Sequence, residues 1–536
     1  MAAAPAPFDP SVLVMLRLAG YAPGVGMSEG DEIVIETSAR RRLRLAGIWG
    51  GPLLALATAW ALPAAYVDAA GATVAFPAAG RATAALAAWM AVWWMTEAIP
   101  VYATALLPLA LLPLLGAGGA REAAAPYGNE SIFLFLGGFL LALSMRRWGL
   151  DRRIAFGTLR FLGTRADVLV LGMMGITAMI SLFVSNTATA LTIYPVALSV
   201  LALARGAEGV GGVEGPAFRN LAHALLLGVA YAASIGGLGT PIATPPNLLL
   251  VSFARETLGI EIGFLKWMAL AMPLVVVLLV ASWWVLVRVF PLRGVRVQGV
   301  DAMAARSLRA MGPLSRGEAA TLAAFAAAVC LWVFGPWLTK LEVAGLHPLG
   351  GLTDSGIAVF AALALFLVPA GADPATGKRG AVMDWETAKG IPYGLLLLFG
   401  GGLSLAAALE RNGVTTLLAA KLAALGSIPE WGFLLIAAIG VVFLGELLSN
   451  TAMAAAILPV CAAAARAAGW EEMGVLLPLA WAASCGFMLP VATPPNALVY
   501  GSGLIEPHAM IRAGFRLNLL GIALILIAAV YVRRFF

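Results

Sequence analysis

Charged side chains are scarce in this sequence. Asp, Glu, Lys and Arg make up 12% of its 536 residues, about half the share that soluble proteins carry, whereas 61% of the residues are hydrophobic. Apolar stretches recur that are long enough to cross a bilayer, since each crossing takes about 20 helical residues. The composition therefore predicts an all-α polytopic membrane protein. We attribute its net charge of +6 to Arg and Lys in cytoplasmic loops rather than to affinity for nucleic acid.

Cysteine and histidine are also rare, with three residues of each: Cys330, Cys461, Cys485, His223, His347 and His508. The cysteine spacing fits neither a disulfide framework nor a metal cluster. The histidines are dispersed, so we expect them at the surface or at helix caps. An enzyme in the membrane would need a nucleophile with its base, or metal ligands, and the sequence shows no such pairing. The sequence therefore predicts a protein that is not an enzyme.

Two short polar motifs each occur twice within apolar sequence. Ser-Asn-Thr occupies 185–187 and 449–451, and Ala-Thr-Pro-Pro-Asn occupies 243–247 and 492–496. Neutral hydrogen-bonding residues and helix breakers at membrane depth are typical of transporters, where discontinuous helices aim free backbone groups at a solute and its coupling ion. The duplication predicts a polar site between two related halves.

The charge distribution predicts the topology. Eleven spans are expected, at about 45–67, 82–99, 101–118, 131–149, 222–252, 266–290, 318–338, 356–370, 391–410, 474–503 and 513–532. Stretches 167–203 and 432–467 are interrupted at Ser-Asn-Thr and are predicted to be re-entrant hairpins. With a cytoplasmic N-terminus, the Arg- and Lys-rich loops all fall inside, as the positive-inside rule requires. Arg533 and Arg534 then lie outside with the C-terminus, against the rule.

The two halves align as an internal repeat. Gly137 aligns with Gly400 at an offset of 400 − 137 = 263 residues, and Asn186 with Asn450 at 450 − 186 = 264. The predicted topology sends the two copies through the membrane in opposite directions. The sequence therefore predicts inverted repeats whose hairpin tips meet near the midplane.

The motif chemistry suits an anion held together with cations. Ser, Asn and Thr can donate to a carboxylate and can also ligate a hard cation, and paired prolines free backbone carbonyls. No Arg or Lys lies within either hairpin core or either Pro-Pro segment, so bound cations must neutralise the anion. Glu446 is the one acid near a tip. It either tunes a cation site or carries a proton, or it is a hydrated side chain facing outward.

The chain resembles the divalent anion:sodium symporter family, the sodium-coupled sulfate and carboxylate transporters. The resemblance covers about 45–532 and rests on Trp-Trp-Met-Thr-Glu-Ala-Ile-Pro at 93–100, on Gly-Gly-Phe-Leu-Leu-Ala at 137–142, and on both pairs of repeated motifs. It implies a homodimer in the inner (plasma) membrane, surrounded by lipid. Each protomer would have a scaffold domain and a transport domain that moves as an elevator, with Na⁺ as the coupling ion.

The resemblance also implies the site residues. One Na⁺ site would use Ser181, Ser185, Asn186 and the carbonyl of Ala243, and the other Asn450 and the carbonyls of Gly445, Leu448 and Ala492. The substrate would contact Ser185, Asn186, Thr187, Ser449, Asn450 and Thr451, with Thr244, Pro245, Thr493 and Pro494 closing the site. One position departs from the pattern, because Gly445 has no hydroxyl where its symmetry mate Ser181 has one.

The predicted domain organisation alternates scaffold and transport segments. The segments are a cytoplasmic leader 1–44, scaffold 45–165, transport 166–291 with the inward-opening hairpin, a cytoplasmic loop 292–316, scaffold 317–425 and transport 426–536 with the outward-opening hairpin. Amphipathic arms at about 150–165 and 411–425 are expected to lie along the two membrane surfaces and fix the scaffold.

The leading functional prediction is Na⁺-driven symport of C4-dicarboxylates such as succinate, malate or fumarate. Within the class, a citrate or sulfate carrier and a sodium-independent dicarboxylate exchanger stay open. A passive anion channel is the alternative from another class, but a channel needs no pair of mirrored, closed half-sites.

Overall fold

The computed structural model describes residues 38–67, 73–206, 213, 215–342, 346–373, 377, 379–423 and 429–536. Most of the predicted leader 1–44 lies outside the described residues. The structure is predominantly helical. Eight helices in the described part are long and apolar enough to cross a membrane, and five shorter apolar helices accompany them. The all-α prediction is confirmed, whereas the number of eleven crossings stays a prediction.

The chain begins with a helical pair and a broken segment. The elements are α1 (Ser38–Ala61), β1 (Ala65–Val67), β2 (Thr73–Ala75), α2 (Ala78–Thr96), α3 (Val101–Thr104), α4 (Leu107–Leu114), α5 (Ala120–Ala124) and a 3₁₀ turn (Ala125–Gly128). α1 packs along α2, and the two strands pair antiparallel between them. The predicted span 101–118 is two short helices, because Pro108 lacks an N–H and its ring would clash with the carbonyl of Thr104.

The first repeat follows as an ordered series of helices. These are α6 (Glu130–Trp148), α7 (Leu150–Leu159), α8 (Ala166–Ser181), α9 (Asn186–Ala204), α10 (Gly215–Gly237), α11 (Pro245–Phe253) with a π turn (Ala254–Leu258), and α12 (Phe264–Val289). The hairpin predicted at 167–203 is α8 and α9, and the short arm predicted at 150–165 is α7. The span predicted at 222–252 breaks between Gly237 and Pro245, as the two prolines indicate.

A connecting region separates the repeats. It contains α13 (Val300–Met311), α14 (Arg316–Leu338), α15 (Asp354–Leu367), β3 (Pro369–Ala372), β4 (Arg379–Ala381) and α16 (Trp385–Ala388). Segment 292–316, predicted as a loop, thus holds a helix. That helix starts after Gly299, whose φ of 80° a residue with a side chain rarely adopts.

The second repeat has the same order of elements as the first. It comprises α17 (Tyr393–Arg411), α18 (Val414–Ala423), α19 (Glu430–Gly445), α20 (Asn450–Ala467), α21 (Glu472–Ala482), α22 (Pro494–Tyr500) and α23 (Pro507–Val532). The second hairpin is α19 and α20, the second arm is α18, and the second broken helix is α21 and α22.

Equivalent residues of the two repeats meet in the core. The rings of Phe135 and Phe399, which are 399 − 135 = 264 positions apart, lie 5.3 Å apart between centroids. Gly137 and Gly401 are also 264 positions apart, and both lie at helix contacts that are too close for a side chain. A Cβ at Gly137 would lie 2.5 Å from the backbone of Ala358. A Cβ at Gly401 would overlap the backbone of Ala105. These glycines allow close helix packing.

The two repeats also pack across each other. α11 of the first repeat packs against α20 of the second hairpin, and α22 of the second repeat packs against α9 of the first hairpin. The last helices of the repeats, α12 and α23, contact each other as well. Each hairpin is therefore held by the broken helix of the opposite repeat, which brings the four motifs into one region.

The prediction of a surface or capping position is wrong for His223. This side chain on α10 is only 5% exposed, and its ring lies 5.0 Å from the ring of Phe290 at the end of α12. A long-range ring contact places it in the interior, which local sequence does not reveal. His347 and His508 are exposed.

Candidate functional site

The first hairpin tip is a turn between Ser181 and Asn186. Ser185 caps α9 and accepts a hydrogen bond from the backbone N–H of Ala188 at 3.4 Å. The hydroxyl of Ser181 lies 3.1 Å from Oδ1 of Asn186 and donates to the carbonyl of Ala233 at 2.6 Å. The structure therefore brings together the two side chains that flank this tip and ties them to α10.

The second hairpin tip differs at one position. Ser449 caps α20 as Ser185 caps α9, with Ala452 N–H at 3.5 Å. Gly445 stands at the position of Ser181, so Asn450 receives no hydroxyl from it. Oδ1 of Asn450 is buried and has no hydrogen-bond partner among the described residues. An unpartnered buried acceptor is costly, which makes this amide oxygen a candidate ligand for a cation.

The hairpin tips are only partly buried. All six residues of the two Ser-Asn-Thr motifs are half-buried, and so are the equivalent prolines Pro245 and Pro494. Thr244, Thr493, Ala243 and Ala492 are each no more than 6% exposed. The broken segments thus form the wall behind the tips.

In each broken helix, one asparagine side chain donates hydrogen bonds to free backbone carbonyls. Nδ2 of Asn247 donates to the carbonyls of Gly237 and Thr240 at 2.9 and 2.8 Å. Nδ2 of Asn496 donates to those of Gly486 and Leu489 at 3.1 Å each. Both amide oxygens are buried without a partner among the described residues. These asparagines close the Thr-Pro-Pro-Asn motifs, but the sequence analysis did not place them among the site residues.

Glycine lets each broken helix touch its own hairpin tip. A Cβ at Gly237 would collide with Oδ1 of Asn186. The equivalent Gly486, 486 − 237 = 249 positions later, would place a Cβ 3.1 Å from Cβ of Ala492 and 3.8 Å from the carbonyl of Gly445. The predicted ligand residues Gly445 and Ala492 therefore both lie close to Gly486.

Glu446 is fully buried, so its interpretation as a hydrated, outward-facing side chain is wrong. Oε1 accepts from Met488 N–H at 2.8 Å and from Nδ2 of Asn518 at 2.6 Å, and Oε2 accepts from Leu489 N–H at 2.8 Å. Asn518 on α23 in turn accepts from Phe487 N–H at 3.2 Å. The carboxylate holds the broken helix of the second repeat in place.

The sequence analysis missed Asn518. A usable signal existed, because it is the only Asn in the apolar helix α23 and buried polar groups need partners. Nothing local connects it to Glu446, which is 72 residues away. The pairing arises because α19 and α23 pack together.

Trp93 and Trp94, which begin the segment 93–100 that resembles the family pattern, pack against neighbouring backbone. Trp94 is 1% exposed and donates from its indole to the carbonyl of Val101 at 3.1 Å. The indole of Trp93 donates to the carbonyl of Ile48 at 3.4 Å.

This sequence matches the protein-family model of the sodium:sulfate symporter transmembrane region over residues 59–535. The sodium-dependent dicarboxylate transporter SdcS of Staphylococcus saprophyticus is 38% identical over 454 residues, covering 84% of this chain and 85% of the relative. SdcS of Staphylococcus aureus strain USA300 is 36% identical over 450 residues, with the same coverage.

Two solved transporter structures share the fold. The YdaH transporter of Alcanivorax borkumensis aligns with a TM-score of 0.56 at 16% identity, covering 92% of this chain and 99% of that one. MtrF of Neisseria gonorrhoeae, described as illuminating a class of antimetabolite efflux pumps, aligns with a TM-score of 0.57 at 13% identity, covering 96% of each chain. At these identities the likeness concerns the fold alone.

Proposed function

The chain belongs to the sodium:sulfate symporter family, and we propose that it carries C4-dicarboxylates, such as succinate, malate or fumarate, by Na⁺ symport. The observation that carries this proposal is the pair of equivalent half-sites. Each combines a Ser-Asn-Thr tip, a Pro-Pro break and an Asn that gathers carbonyls, and neither contains Arg or Lys. A solute with two carboxylates suits two half-sites, one for each charge.

The proposed Na⁺ sites use neutral oxygens. The first uses Ser181, Ser185, Asn186 and the carbonyl of Ala243; the second uses Asn450 and the carbonyls of Gly445, Leu448 and Ala492. The 3.1 Å approach of Ser181 to Asn186 and the unpartnered Oδ1 of Asn450 support these sets. Because oxygen donors suit hard cations, each set can hold Na⁺ without a carboxylate.

The proposed substrate site is the space between the tips. One carboxylate accepts from Ser185, Asn186 and Thr187, and the other from Ser449, Asn450 and Thr451. Thr244–Pro245 and Thr493–Pro494 close the site from behind. The N-termini of α9 and α20 start at the tips, so their free N–H groups and dipoles also favour the anion.

The proposed mechanism is an elevator, with 166–291 and 426–536 moving against a scaffold formed by 45–165 and 317–425. The arm α7 joins the two units: Arg153 pairs with Glu318 of α14 at 2.5 Å, and Asp151 accepts from Thr192 of α9 at 2.8 Å. Na⁺ bound beside the anion lowers the cost of carrying its charge through hydrocarbon.

We further propose a homodimer formed through the scaffold, embedded in lipid of the inner membrane with the N-terminus cytoplasmic and the C-terminus outside. Large apolar side chains on α15 support a covered face there. Phe360, Leu363 and Leu367 are 73%, 55% and 82% exposed in the single chain.

A binding experiment separates this function from its alternatives. Succinate should raise the melting temperature of the purified protein in Na⁺ but not in choline, because a ligand stabilises only the state that binds it. Sulfate and citrate are tested in the same way as alternative ligands. Stabilisation by sulfate or citrate instead of succinate would favour those carriers, and stabilisation by succinate without Na⁺ would favour a sodium-independent exchanger.

A further inference from the structure

A basic cavity lies away from the transport site, at the end of α12. It has a volume of about 830 Å³ and lies between α12, the segment that follows it and the start of α8. Four arginines and two tryptophans line it: Arg165, Arg288, Arg293, Arg296, Trp283 and Trp284. The transport function proposed above uses none of these residues.

Backbone hydrogen bonds fix the walls of this cavity. Residues 165 and 296 pair in an antiparallel bridge, with Ala166 N–H donating to the carbonyl of Val295 at 3.2 Å and Val297 N–H donating to that of Thr164 at 2.8 Å. The indole of Trp283 donates to the carbonyl of Asp167 at 2.9 Å. The cavity is therefore a built feature, and its arginine side chains are not needed to hold it together.

The cavity carries excess positive charge. Among the described residues that line it, Asp167 is the one carboxylate, and it pairs with Arg165 at 2.7 Å. Among the described residues, no carboxylate forms an ion pair with Arg288, Arg293 or Arg296. Arg288 instead lies over the ring of Trp284 at 4.7 Å. Three guanidinium groups thus remain for an anion, and guanidinium binds phosphate through paired hydrogen bonds.

An apolar stripe runs along α12 into the cavity. Val276, Val280 and Trp284 follow at four-residue spacing and are 53%, 48% and 50% exposed, and Arg288 is the next residue of the same row. α12 is one of the helices apolar enough to cross a membrane, so an exposed apolar stripe on it suits contact with lipid chains. Tryptophan and arginine at the end of such a helix mark the level of the headgroups.

We propose that this cavity binds the phosphate headgroup of an anionic phospholipid, with an acyl chain lying along the stripe of Val276, Val280 and Trp284. The stripe favours a lipid over a free phosphate ion, which has no apolar part to bury there. The loop that supplies Arg293 and Arg296 lies on the side proposed to be cytoplasmic, so the lipid comes from the inner leaflet. Basic pockets beside membrane helices on this side commonly bind such headgroups.

Native mass spectrometry of the purified full-length protein tests the proposal. Added phosphatidylglycerol and phosphatidylcholine are compared for retention, with inorganic phosphate as a competitor. The test variant is Arg293→Gln/Arg296→Gln. The control Arg309→Gln/Arg316→Gln removes the same charge from exposed positions of the same region outside the cavity. Arg293→Lys/Arg296→Lys keeps the charge and checks that altering these positions leaves the protein folded.

The wild type and the control should retain phosphatidylglycerol in preference to phosphatidylcholine. The Gln variant should retain it on the order of 30-fold more weakly, from about 1 kcal/mol per basic side chain. The Lys variant keeps the charge but loses the paired hydrogen bonds, so it should retain the lipid more tightly than the Gln variant and more weakly than the wild type. Equal retention of the two lipids, or equal losses in the test and control variants, would overturn the proposal. Displacement of the lipid by inorganic phosphate would show a free-anion site instead.

Discussion

Glu446 accepts a hydrogen bond from Asn518 at 2.6 Å inside the second repeat, across 72 residues of sequence. In the first repeat the equivalent position is Leu182, because 446 − 182 = 264. There the hydroxyl of Thr240 donates to the backbone carbonyl of Leu182. Glu446 also accepts from Met488 N–H and Leu489 N–H in the second broken helix. The two repeats thus fasten tip to broken helix in opposite ways, because the side chain at the second tip accepts, whereas the side chain of the first broken helix donates.

Glu446→Gln should weaken Na⁺ binding while leaving the protein folded. Glutamine has one acceptor oxygen where the carboxylate serves three donors, so the segment that carries Gly486 and Leu489 loses its support. Loss of a charge-assisted hydrogen bond costs about 1.5–3 kcal/mol, roughly 10- to 150-fold. The measurement is the Na⁺ concentration for half-maximal uptake. Asn518→Ala should act in the same direction, and the double variant should be less than additive.

Asn186→Ala and Asn450→Ala should each nearly abolish transport, because each removes an amide that is proposed to bind both ion and anion. The expected loss of affinity is again about 10- to 150-fold. Uptake of labelled succinate measures it. Asn220→Ala is the matched control, since Asn220 lies away from both tips and contacts the carbonyl of Pro291. Wild-type uptake in either tip variant would refute the site assignment.

Gly445→Ser should strengthen Na⁺ binding at the second site. A Cβ at this position would meet Oδ1 of Asn450 at 3.8 Å, an ordinary van der Waals contact, so there is room for a Cβ. Its hydroxyl would add the ligand that Ser181 supplies in the first repeat. Ser181→Gly, the reverse change, should weaken binding. If Gly445→Ser leaves the Na⁺ dependence unchanged, only the backbone carbonyl matters at this position.

The sequence predicted the breaks at the repeated motifs, since they depend on local chemistry, but it did not predict the break before Pro108. Ser185 and Ser449 cap helices where the motifs place them, and the prolines at 245 and 494 restart helices after each break. The apolar stretches interrupted at Ser-Asn-Thr also predicted the ends of both hairpins to within about two residues.

The sequence did not predict contacts made by distant parts of the chain. Burial of His223 depends on Phe290, and the position of Glu446 depends on Asn518. Such pairs follow from helix packing, and hydrophobic spacing does not specify which neighbour a helix will meet. The basic cavity likewise requires a backbone bridge between residues 165 and 296.

Cross-linking tests the elevator. The ring of Phe183 at the first tip lies 5.0 Å from that of Phe325 on α14, a helix of the proposed scaffold. With the three native cysteines replaced, a cross-linked Phe183→Cys/Phe325→Cys pair should stop uptake reversibly but leave substrate binding measurable. Phe443→Cys/Phe515→Cys is the control, because both positions lie in the transport unit with rings 6.0 Å apart. Unchanged transport in the cross-linked first pair would exclude relative motion of the two units.

Uptake of labelled succinate into proteoliposomes tests whether the protein is a Na⁺-coupled dicarboxylate symporter. Two half-sites of neutral ligands require cations around the anion, so uptake should depend on an inward Na⁺ gradient with a Hill coefficient above 1. Liposomes containing Asn450→Ala provide the inactive control, and exchange against internal succinate is measured in parallel. We expect labelled succinate to accumulate in an inward Na⁺ gradient and not to accumulate in choline or K⁺. Full activity without Na⁺ would contradict symport and identify an exchanger.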